Sequence, residues 1–327
     1  MGGHDTLILT HGDCDGVCSA ALYKSISTDP KIFFTHPHGI FEDLNSLYAN
    51  SGGKFTKLII LDIAFNQTTW RELIDLLNTI MEDGVEVTYI DHHPLPSDYE
   101  PELIKFTFIW GEGKSTSELT YKYLEGRIDR WMCRIALYGA IGDYSDETPF
   151  MREMYTMWDK RLIYFEGGIL TQALEGSRRQ YEYKRRIIDI LSQNKLPSSY
   201  DWILSRAIEM AEKEEELRAK VSKEVKNIGK VSYVMDVEGS IGRAARYAMI
   251  YGGGLIGVAI ETRKNQAIIS MRTYRDGPDL NKILRKIAPR FGGSGGGHPH
   301  AAGARIPTEK LFNFLASLND EVSKTYR

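Results

Sequence analysis

Short apolar runs alternate with amphipathic stretches over the first third of the chain. Each apolar run is followed by polar residues, which indicates buried β-strands at residues 6–10, 31–35, 57–61 and 86–90. Residues 17–25 and 69–83 have the apolar spacing of helices. Continuously apolar strands that alternate with helices are typical of a parallel sheet covered on both faces. We therefore expect an α/β fold with a mostly parallel sheet in the N-terminal part.

The pattern becomes helical after this predicted sheet. Ser115 and Glu118 have the spacing of a capping box and predict the start of a helix. A second helix is predicted at residues 128–142. The segment 178–228 is charged, has helical patterning and contains no glycine, so it predicts a helical connector and not a flexible linker.

Strand patterns return after the connector, at residues 231–237, 255–261 and 266–272. Helices are predicted near residues 280–288 and from Thr308 onward, with a glycine-rich stretch between them. These elements indicate a second, smaller α/β domain. We therefore predict an N-terminal domain, a helical connector and a C-terminal domain over residues 1–177, 178–228 and 229–327.

Composition excludes several classes of protein. The hydrophobic fraction of 42% and the charged fraction of 26% are ordinary for a globular protein. No apolar run approaches the roughly 20 residues that span a bilayer, and no secretion signal is visible at the N-terminus. Three cysteines are too few for a disulfide framework. We expect a cytoplasmic protein without a membrane partner.

The net charge of −3 conceals two halves of opposite sign. Residues 1–175 have a net charge of −13, and residues 176–327 have a net charge of +10. An acidic half suits divalent cations and a basic half suits a polyanion. The alternative, that both sets of charges are only solvated surface, stays open on charge alone. The same holds for the basic clusters Arg178-Arg179 and Lys184-Arg185-Arg186, which either line a nucleic-acid backbone or form solvated helix faces.

Acidic residues and histidines follow the predicted strands. Asp13 and Asp15 follow the first strand, where two carboxylates in one turn can face one cation or two neighbouring ones. Asp62 ends the third strand, and Asp91-His92-His93 follows the fourth. Asp143 ends a predicted helix. Ligands of such sheets bind beyond the carboxyl ends of the strands, and mixed oxygen and nitrogen donors suit Mn²⁺. The sequence therefore predicts a shared metal site.

These motifs resemble those of the DHH phosphoesterase superfamily. The matching residues are His11-x-Asp13-x-Asp15-Gly16, Leu61-Asp62, Asp91-His92-His93 and Gly142-Asp143. The stretch from Gly295 to Gly303 resembles the GGGHxxAAG motif of the DHHA1 substrate-binding domain. The family includes RecJ-type exonucleases, nanoRNases, cyclic-dinucleotide phosphodiesterases and pyrophosphatases. Pyrophosphatases carry a different C-terminal domain, which makes the phosphodiesterases the better match.

The resemblance implies two metal positions that share Asp62. One would be formed by His11, Asp13 and Asp62, although His11 lies only two residues before Asp13 where several branches have four. The other would be formed by Asp15, Asp62, His92 and Asp143. The implied cofactor is a pair of Mn²⁺ ions, with Mg²⁺ as a weaker substitute. His93 would face the scissile phosphate and Asp91 would orient the histidines, which makes these two the implied catalytic residues.

The resemblance also implies the substrate-binding residues of the second domain. Gly295, Gly296 and Gly297 allow close approach of the backbone, and their N–H groups can bind an anion. His298 would contact a phosphate or a terminal sugar. Arg272 is the candidate for a two-pronged phosphate contact, and Arg243 is a weaker candidate, because an arginine on a helix is usually just an exposed surface residue.

The expected function is hydrolysis of single-stranded DNA or RNA, or of short oligonucleotides, from an end to mononucleotides. Resemblance to compact archaeal RecJ-like proteins favours the 3′-to-5′ direction. Hydrolysis of a cyclic dinucleotide or another small nucleotide is the alternative. A scaffold without activity, which binds nucleic acid or a replication or repair protein, is a hypothesis from another class. Relatives often self-associate, so a homo-oligomer is also expected.

Overall fold

A computed structural model describes residues 5–51, 55–177 and 179–325 of the chain. The chain divides into two compact units, Met1–Met210 and Ala211–Arg327. The boundary between the units falls within one long helix. The three-part division at residues 177 and 228 stays a prediction, and Arg178 lies outside the described residues.

The first unit contains a five-stranded sheet in which every strand is parallel to its neighbours. Its strands are β1 (Thr6–Thr10), β2 (Lys31–Phe34), β3 (Lys57–Leu61), β4 (Glu86–Asp91) and β5 (Thr107–Trp110). Their order in the sheet is β2-β1-β3-β4-β5. The parallel sheet predicted from the sequence is confirmed, and four of its five strands lie where the apolar runs placed them.

Helices cover both faces of this sheet. They are α1 (Cys14–Lys24), α2 (Ile40–Ser51), α3 (Trp70–Glu82), α4 (Thr116–Tyr123), α5 (Cys133–Gly142), α6 (Pro149–Met154), α7 (Lys160–Glu175) and α8 (Tyr181–Ser192). Ile8 of β1 packs into a core with Val17 of α1. Leu7 and Leu9 point to the opposite face and pack into a second core with Leu73 of α3. This alternation explains why the strands are apolar at every position.

Among the strands and α-helices described above, β5, α2, α6 and α7 were not predicted from the sequence. Helix α7 contains the adjacent glycines Gly167 and Gly168, which lower helix propensity. A Cβ on Gly167 would lie 3.1 Å from the Cδ1 of Ile141, so this glycine permits α7 to pack closely on α5. Tertiary packing therefore outweighs local propensity in this helix.

Helix α9 (Asp201–Glu224) is 24 residues long and crosses the boundary between the units. It is charged along most of its length, as the sequence predicted. None of the helices in the described residues is both long enough and apolar enough to cross a membrane.

The second unit contains a smaller mixed sheet of six strands. Its strands are β6 (Lys226–Ile228), β7 (Val231–Met235), β8 (Ile256–Arg263), β9 (Gln266–Thr273), β10 (Ser294–Gly297) and β11 (Ala301–Pro307). Their order is β10-β11-β9-β8-β7-β6, and only β7 and β8 pair in parallel. The helices are α10 (Ile241–Gly252), α11 (Leu280–Ile287) and α12 (Leu311–Thr325). The predicted smaller α/β domain is confirmed.

The glycine-rich stretch, for which no helix or strand was predicted, forms the edge strand β10. A Cβ on Gly295 would lie 3.2 Å from the Cβ of Leu284 in α11. Gly297 has a φ of 140°, which an L-residue rarely adopts. Close packing explains the glycine at position 295, and backbone geometry explains the glycine at position 297, without any need for a ligand.

Candidate metal centre

The neighbouring strands β1, β3 and β4 end at the same edge of the first sheet. The turn after β1 carries His11 and Asp13, Asp62 directly follows β3, and Asp91 is the last residue of β4. Because parallel strands present their carboxyl ends together, these side chains meet although they are far apart in sequence.

The first group of candidate ligands is His11, Asp13 and Asp62. The Nδ1 atom of His11 lies 2.7 Å from Oδ2 of Asp13 and 3.9 Å from Oδ2 of Asp62. One potential ligand atom from each residue lies within 4.8 Å of the other two. His11 and Asp13 are partly exposed, whereas Asp62 is buried. This group corresponds to the first metal position expected from the sequence.

The second group is Asp15, Asp62 and His92. The Nε2 atom of His92 lies 3.3 Å from Oδ1 of Asp62 and 3.8 Å from Oδ2 of Asp15. Its Nδ1 atom lies 3.6 Å from Oδ2 of Asp143, which brings the fourth expected residue to the same histidine. Asp62 therefore belongs to both groups, with one carboxylate oxygen toward each histidine.

Asp62 also has an unusual backbone conformation. Its φ is 60°, in the left-handed region that costs a non-glycine residue about 1–3 kcal/mol. Its Oδ1 accepts a hydrogen bond from Oγ1 of Thr116 at 3.1 Å, whereas its buried Oδ2 has no hydrogen-bond partner within the described residues. A buried carboxylate oxygen without a donor is destabilising, and a cation would satisfy it.

The cluster carries more negative charge than its own residues neutralise. Burial, together with the charges of Asp13 and Asp15, raises the pKa of Asp62 well above its usual range. Burial raises the pKa of Asp143 to about 6. Burial acts to lower the pKa of His92, but the hydrogen bond with Asp62 and the charge of Asp143 outweigh it and raise that pKa to about 11. These shifts show that several carboxylates are crowded into one buried place, and such a donor set fits divalent metal ions.

The N-terminus of α4 supports Asp15, a contact that sequence reasoning did not identify. The backbone N–H groups of Thr116 and Ser117 donate to its two carboxylate oxygens at 2.6 and 2.9 Å. The helix begins where the capping box predicted it, because Oγ of Ser115 accepts from the N–H of Glu118. The spacing in sequence revealed the helix start, but it could not reveal which carboxylate this start would face.

Asp91 and His93 form a hydrogen-bonded pair at the same edge, and one potential ligand atom of each lies within 4.8 Å of Asp62. Oδ1 of Asp91 lies 2.8 Å from Nδ1 of His93, and Oδ2 accepts from the N–H of His93 at 3.3 Å. Burial acts to raise the pKa of Asp91, but the charge and hydrogen bond of His93 lower it overall. Trp110 of β5 donates to the carbonyl of His93 at 2.7 Å. His93 is therefore held by hydrogen bonds at one nitrogen of its imidazole and at its backbone N–H and carbonyl groups.

The three basic residues of α8, Lys184, Arg185 and Arg186, do not act as one unit. Arg185 donates to the carbonyl of Ile32, and Arg186 lies over the ring of Trp202. Lys184 instead lies beside the turn that carries the first ligand group, since a Cβ on Gly12 would lie 2.5 Å from its Nζ. Only part of this basic stretch therefore reaches the metal centre.

In the second unit, the expected substrate-binding residues meet at one end of the sheet. Arg272 of β9 is paired with Ala301 of β11, directly after the turn that contains His298. The N–H of Gly297 donates to Oδ1 of Asn281 at 3.2 Å, so this N–H makes a hydrogen bond within the domain and does not point to a ligand. Gly295 and Gly296 lie in the adjoining ladder.

Arg243 forms an ion pair within the second unit, whereas Arg272 donates hydrogen bonds to neutral groups. Its guanidinium pairs with Glu214 of α9, whose other oxygen accepts from the hydroxyl of Tyr247 at 2.7 Å. The guanidinium of Arg272 contacts Oγ of Ser270 and lies near the N-terminus of α10, where a Cβ on Gly242 would be 2.7 Å away. Glycine at this position therefore leaves room for Arg272.

Two family profiles match the chain. The profile described as the DHH family, N-terminal domain, matches residues 5–142. The profile described as the DHHA1 domain matches residues 230–324. No curated protein sequence matches the chain.

Solved structures with the same fold have low sequence identity. One is described as a DHH-domain member of a family of ribosomal proteins (16% identity, TM-score 0.72, covering 98% of this chain and 87% of that one). Another is exonuclease RecJ bound to manganese (15% identity, TM-score 0.61, covering 98% of this chain and 91% of that one). A third is the pGpG-specific phosphodiesterase PggH from Vibrio cholerae (15% identity, TM-score 0.58, covering 98% of this chain and 99% of that one). At this identity the likeness concerns the fold.

Proposed function

The chain belongs to the DHH family of metal-dependent phosphoesterases and carries a DHHA1 domain, and from this premise we propose that it is a two-metal phosphodiesterase. It hydrolyses single-stranded nucleic acid or short oligonucleotides from an end and releases mononucleotides. The position of Asp62, which faces His11 with one oxygen and His92 with the other, is the observation that supports two metal positions most directly.

Each position has a mixed donor set. His11 and His92 contribute imidazole nitrogens, and the aspartates contribute carboxylate oxygens. Such sets suit Mn²⁺ better than Mg²⁺, which prefers oxygen ligands alone. When bound, two divalent cations would neutralise charge on the phosphodiester and lower the pKa of the attacking water. We propose two Mn²⁺ ions as the cofactor and Mg²⁺ as a weaker substitute.

The protein's own groups orient the reaction. The carboxylate of Asp91 accepts a hydrogen bond from the Nδ1–H group of His93 and thereby sets the orientation of the imidazole that we propose faces the scissile phosphate. Thr116 and Ser117 hold the carboxylate of Asp15 by two backbone hydrogen bonds, which fixes it toward His92. These contacts preorganise the donors before a substrate binds.

Arg272 and His298 of the second unit form the proposed contact to the end of the substrate. An arginine fork matches a phosphate with paired donors, and the second half of the chain carries the excess of positive charge that a polyanion requires. The resemblance to compact archaeal RecJ-like proteins supports the proposed 3′-to-5′ direction. Self-association and a replication or repair partner are further parts of the proposal.

Hydrolysis of a small nucleotide is the second candidate. The structural likeness to a pGpG-specific phosphodiesterase covers 99% of that chain. That neighbour, which has a similar size and fold, is specific for a dinucleotide. A cyclic dinucleotide is the related possibility that the sequence also left open.

One assay separates the candidates. The protein and an Asp62→Asn variant are incubated with Mn²⁺ and with end-labelled DNA and RNA of about 2–30 nucleotides, pGpG and cyclic di-AMP. The proposal predicts progressive shortening of the labelled strands by the wild type alone. Cleavage confined to pGpG or cyclic di-AMP would replace it with the second candidate. Intact substrates throughout would favour a scaffold that only binds.

A further inference from the structure

A cavity of about 400 Å³ lies in the first unit beside the first ligand group. The turn after β1, the end of β2, the C-terminal turn of α7 and the start of α8 form its wall, with His11, Asp13, Phe34, Leu174, Tyr181 and Lys184 among the lining residues. Pockets for small molecules range from about 300 to 1,000 Å³, so this one suits a group the size of a single nucleotide.

The cavity adjoins the proposed metal position directly, because His11 and Asp13 belong to both. A phosphate held at these residues would therefore place its attached group at the cavity entrance. The chemistry of the wall then indicates which kind of group would fit.

Part of the wall is aromatic. The rings of Phe34 and Tyr181 stack with their centroids 5.4 Å apart and their planes 10° apart. Phe34 is buried under this stack, whereas Tyr181 is 39% exposed. A rigid, partly exposed aromatic ring is the usual surface on which proteins stack a nucleobase.

The wall also contains a buried cation. Lys184 is 5% exposed, and its Nζ lies 5.9 Å from the ring centre of Phe34 and 6.0 Å from that of Tyr181. A Cβ on Gly12 would come within 2.5 Å of this Nζ, so the ammonium group lies against the backbone of the metal-binding turn. Burial of a lysine is costly and is uncommon without a partner of opposite charge. Asp13 supplies one negative charge nearby, and a substrate phosphate would supply another.

We propose that this cavity is a nucleotide subsite, in which the base of the nucleotide next to the scissile bond stacks on Tyr181 and its phosphate contacts the ammonium group of Lys184. This proposal rests on the proposed function and names the part of the substrate that the first unit recognises. Stacking tolerates every base, so the subsite accepts nucleotides without sequence preference.

The alternative is that Lys184 and Tyr181 only support the fold. The two roles differ in what they predict for substrates without a base. A structural role would reduce the cleavage of all phosphodiesters alike, because it would act through the shape of the metal centre. A subsite would matter for nucleotides and not for a substrate that cannot fill the cavity.

The test compares three esters with the same leaving group: thymidine 5′-(p-nitrophenyl phosphate), its 3′ isomer and methyl p-nitrophenyl phosphate. Tyr181→Ala should lower kcat/KM for at least one thymidine ester about 5- to 100-fold and leave the methyl ester unchanged. Tyr181→Phe should restore the lost activity. Phe165→Ala, which removes an exposed aromatic ring of α7 outside the cavity wall, is the matched control.

Binding provides a second measurement that does not depend on turnover. In equilibrium dialysis with Mg²⁺, Lys184→Met should weaken binding of thymidine 5′-monophosphate about 10- to 150-fold and leave binding of thymidine unchanged. Equal losses for the thymidine and methyl esters, or unchanged values for all ligands, would overturn the subsite. A wild type that binds the monophosphate through Tyr181 but cleaves no ester would retain the subsite and overturn the proposed function.

Discussion

Oδ1 of Asp62 lies 3.3 Å from Nε2 of His92, and the backbone that holds this contact has a φ of 60°. A carboxylate in a strained conformation, buried and with its other oxygen lacking a donor among the described residues, is not explained by stability. It is explained if two cations share this residue. Metal ligands, residues that position them and residues that bind substrate should respond differently to substitution, and the following predictions distinguish these three roles.

Asp62→Asn should stabilise the metal-free protein and abolish its activity. Asparagine tolerates the positive φ and removes a buried charge among Asp13 and Asp15, so the free energy of unfolding in EDTA should rise by about 1–3 kcal/mol. Activity with Mn²⁺ should fall more than about 100-fold. Thermal unfolding and turnover are measured together. Asp29→Asn is the matched control, since Asp29 is an exposed aspartate that also has a positive φ. A destabilised, active Asp62→Asn protein would contradict the shared-ligand account.

Mn²⁺ should stabilise the wild type and not the Asp62→Asn protein. Ligand that binds only the folded state at 100 times its Kd adds about 2.7 kcal/mol to the free energy of unfolding. The measurement is Tm against Mn²⁺ concentration by scanning calorimetry, with Ca²⁺ as the comparison ion because it does not favour nitrogen donors. Equal shifts in both proteins would place the metal elsewhere.

Asp91→Asn should act on the rate and not on metal content. The amide loses the charge that orients His93, so kcat should fall about 10- to 100-fold while bound Mn²⁺ stays the same. Steady-state kinetics and metal analysis of the purified protein measure the two quantities. His38→Gln, which changes an exposed histidine near Asn66, should alter neither. Loss of metal on Asp91→Asn would make Asp91 a ligand instead of a positioning residue.

Gly12→Ala should mimic loss of Lys184, because the added methyl group would lie 2.5 Å from its Nζ and force the ammonium group to move. Binding of thymidine monophosphate should weaken in both single variants, and the double variant Gly12→Ala/Lys184→Met should be no weaker than Lys184→Met alone. Gly168→Ala is the control, since within the described part of the chain no atom beyond the neighbouring residues and backbone of its own helix lies within 4 Å of the position of its Cβ. Additive losses in the double variant would show that Gly12 acts independently of Lys184.

Arg272→Ala should raise KM for oligonucleotides about 10- to 150-fold, the effect of losing charge-assisted hydrogen bonds to phosphate. Cleavage of methyl p-nitrophenyl phosphate should not change. Arg243→Ala should instead lower Tm, because it breaks the pair with Glu214. The reverse assignment of the two effects would exchange the roles of these arginines.

Local patterns were sufficient to predict the sheet and the residues at its edge. The apolar runs of β1, β3 and β4 identify parallel strands, and the rule that such strands end together brings Asp13, Asp62 and Asp91 to one place. The start of α4 was visible in its capping box for the same local reason.

The contacts that complete the site are not local. Thr116 and Ser117 are more than 100 residues from Asp15, and no periodicity reports which carboxylate a helix start will face. Lys184 looked like one of several charges on a helix surface, and only the packing of α8 against the β1 turn distinguishes it. The glycines of β10 were read as ligand-binding backbone, whereas close packing on α11 also requires Gly295.

Anomalous diffraction at the manganese edge, from crystals of the wild-type protein grown with Mn²⁺, tests the central claim most directly. Two peaks about 3.5–4 Å apart are expected, with Asp62 bound to both, His11 and Asp13 bound to one, and Asp15, His92 and Asp143 bound to the other. A single peak, or two peaks that do not share Asp62, would contradict the claim.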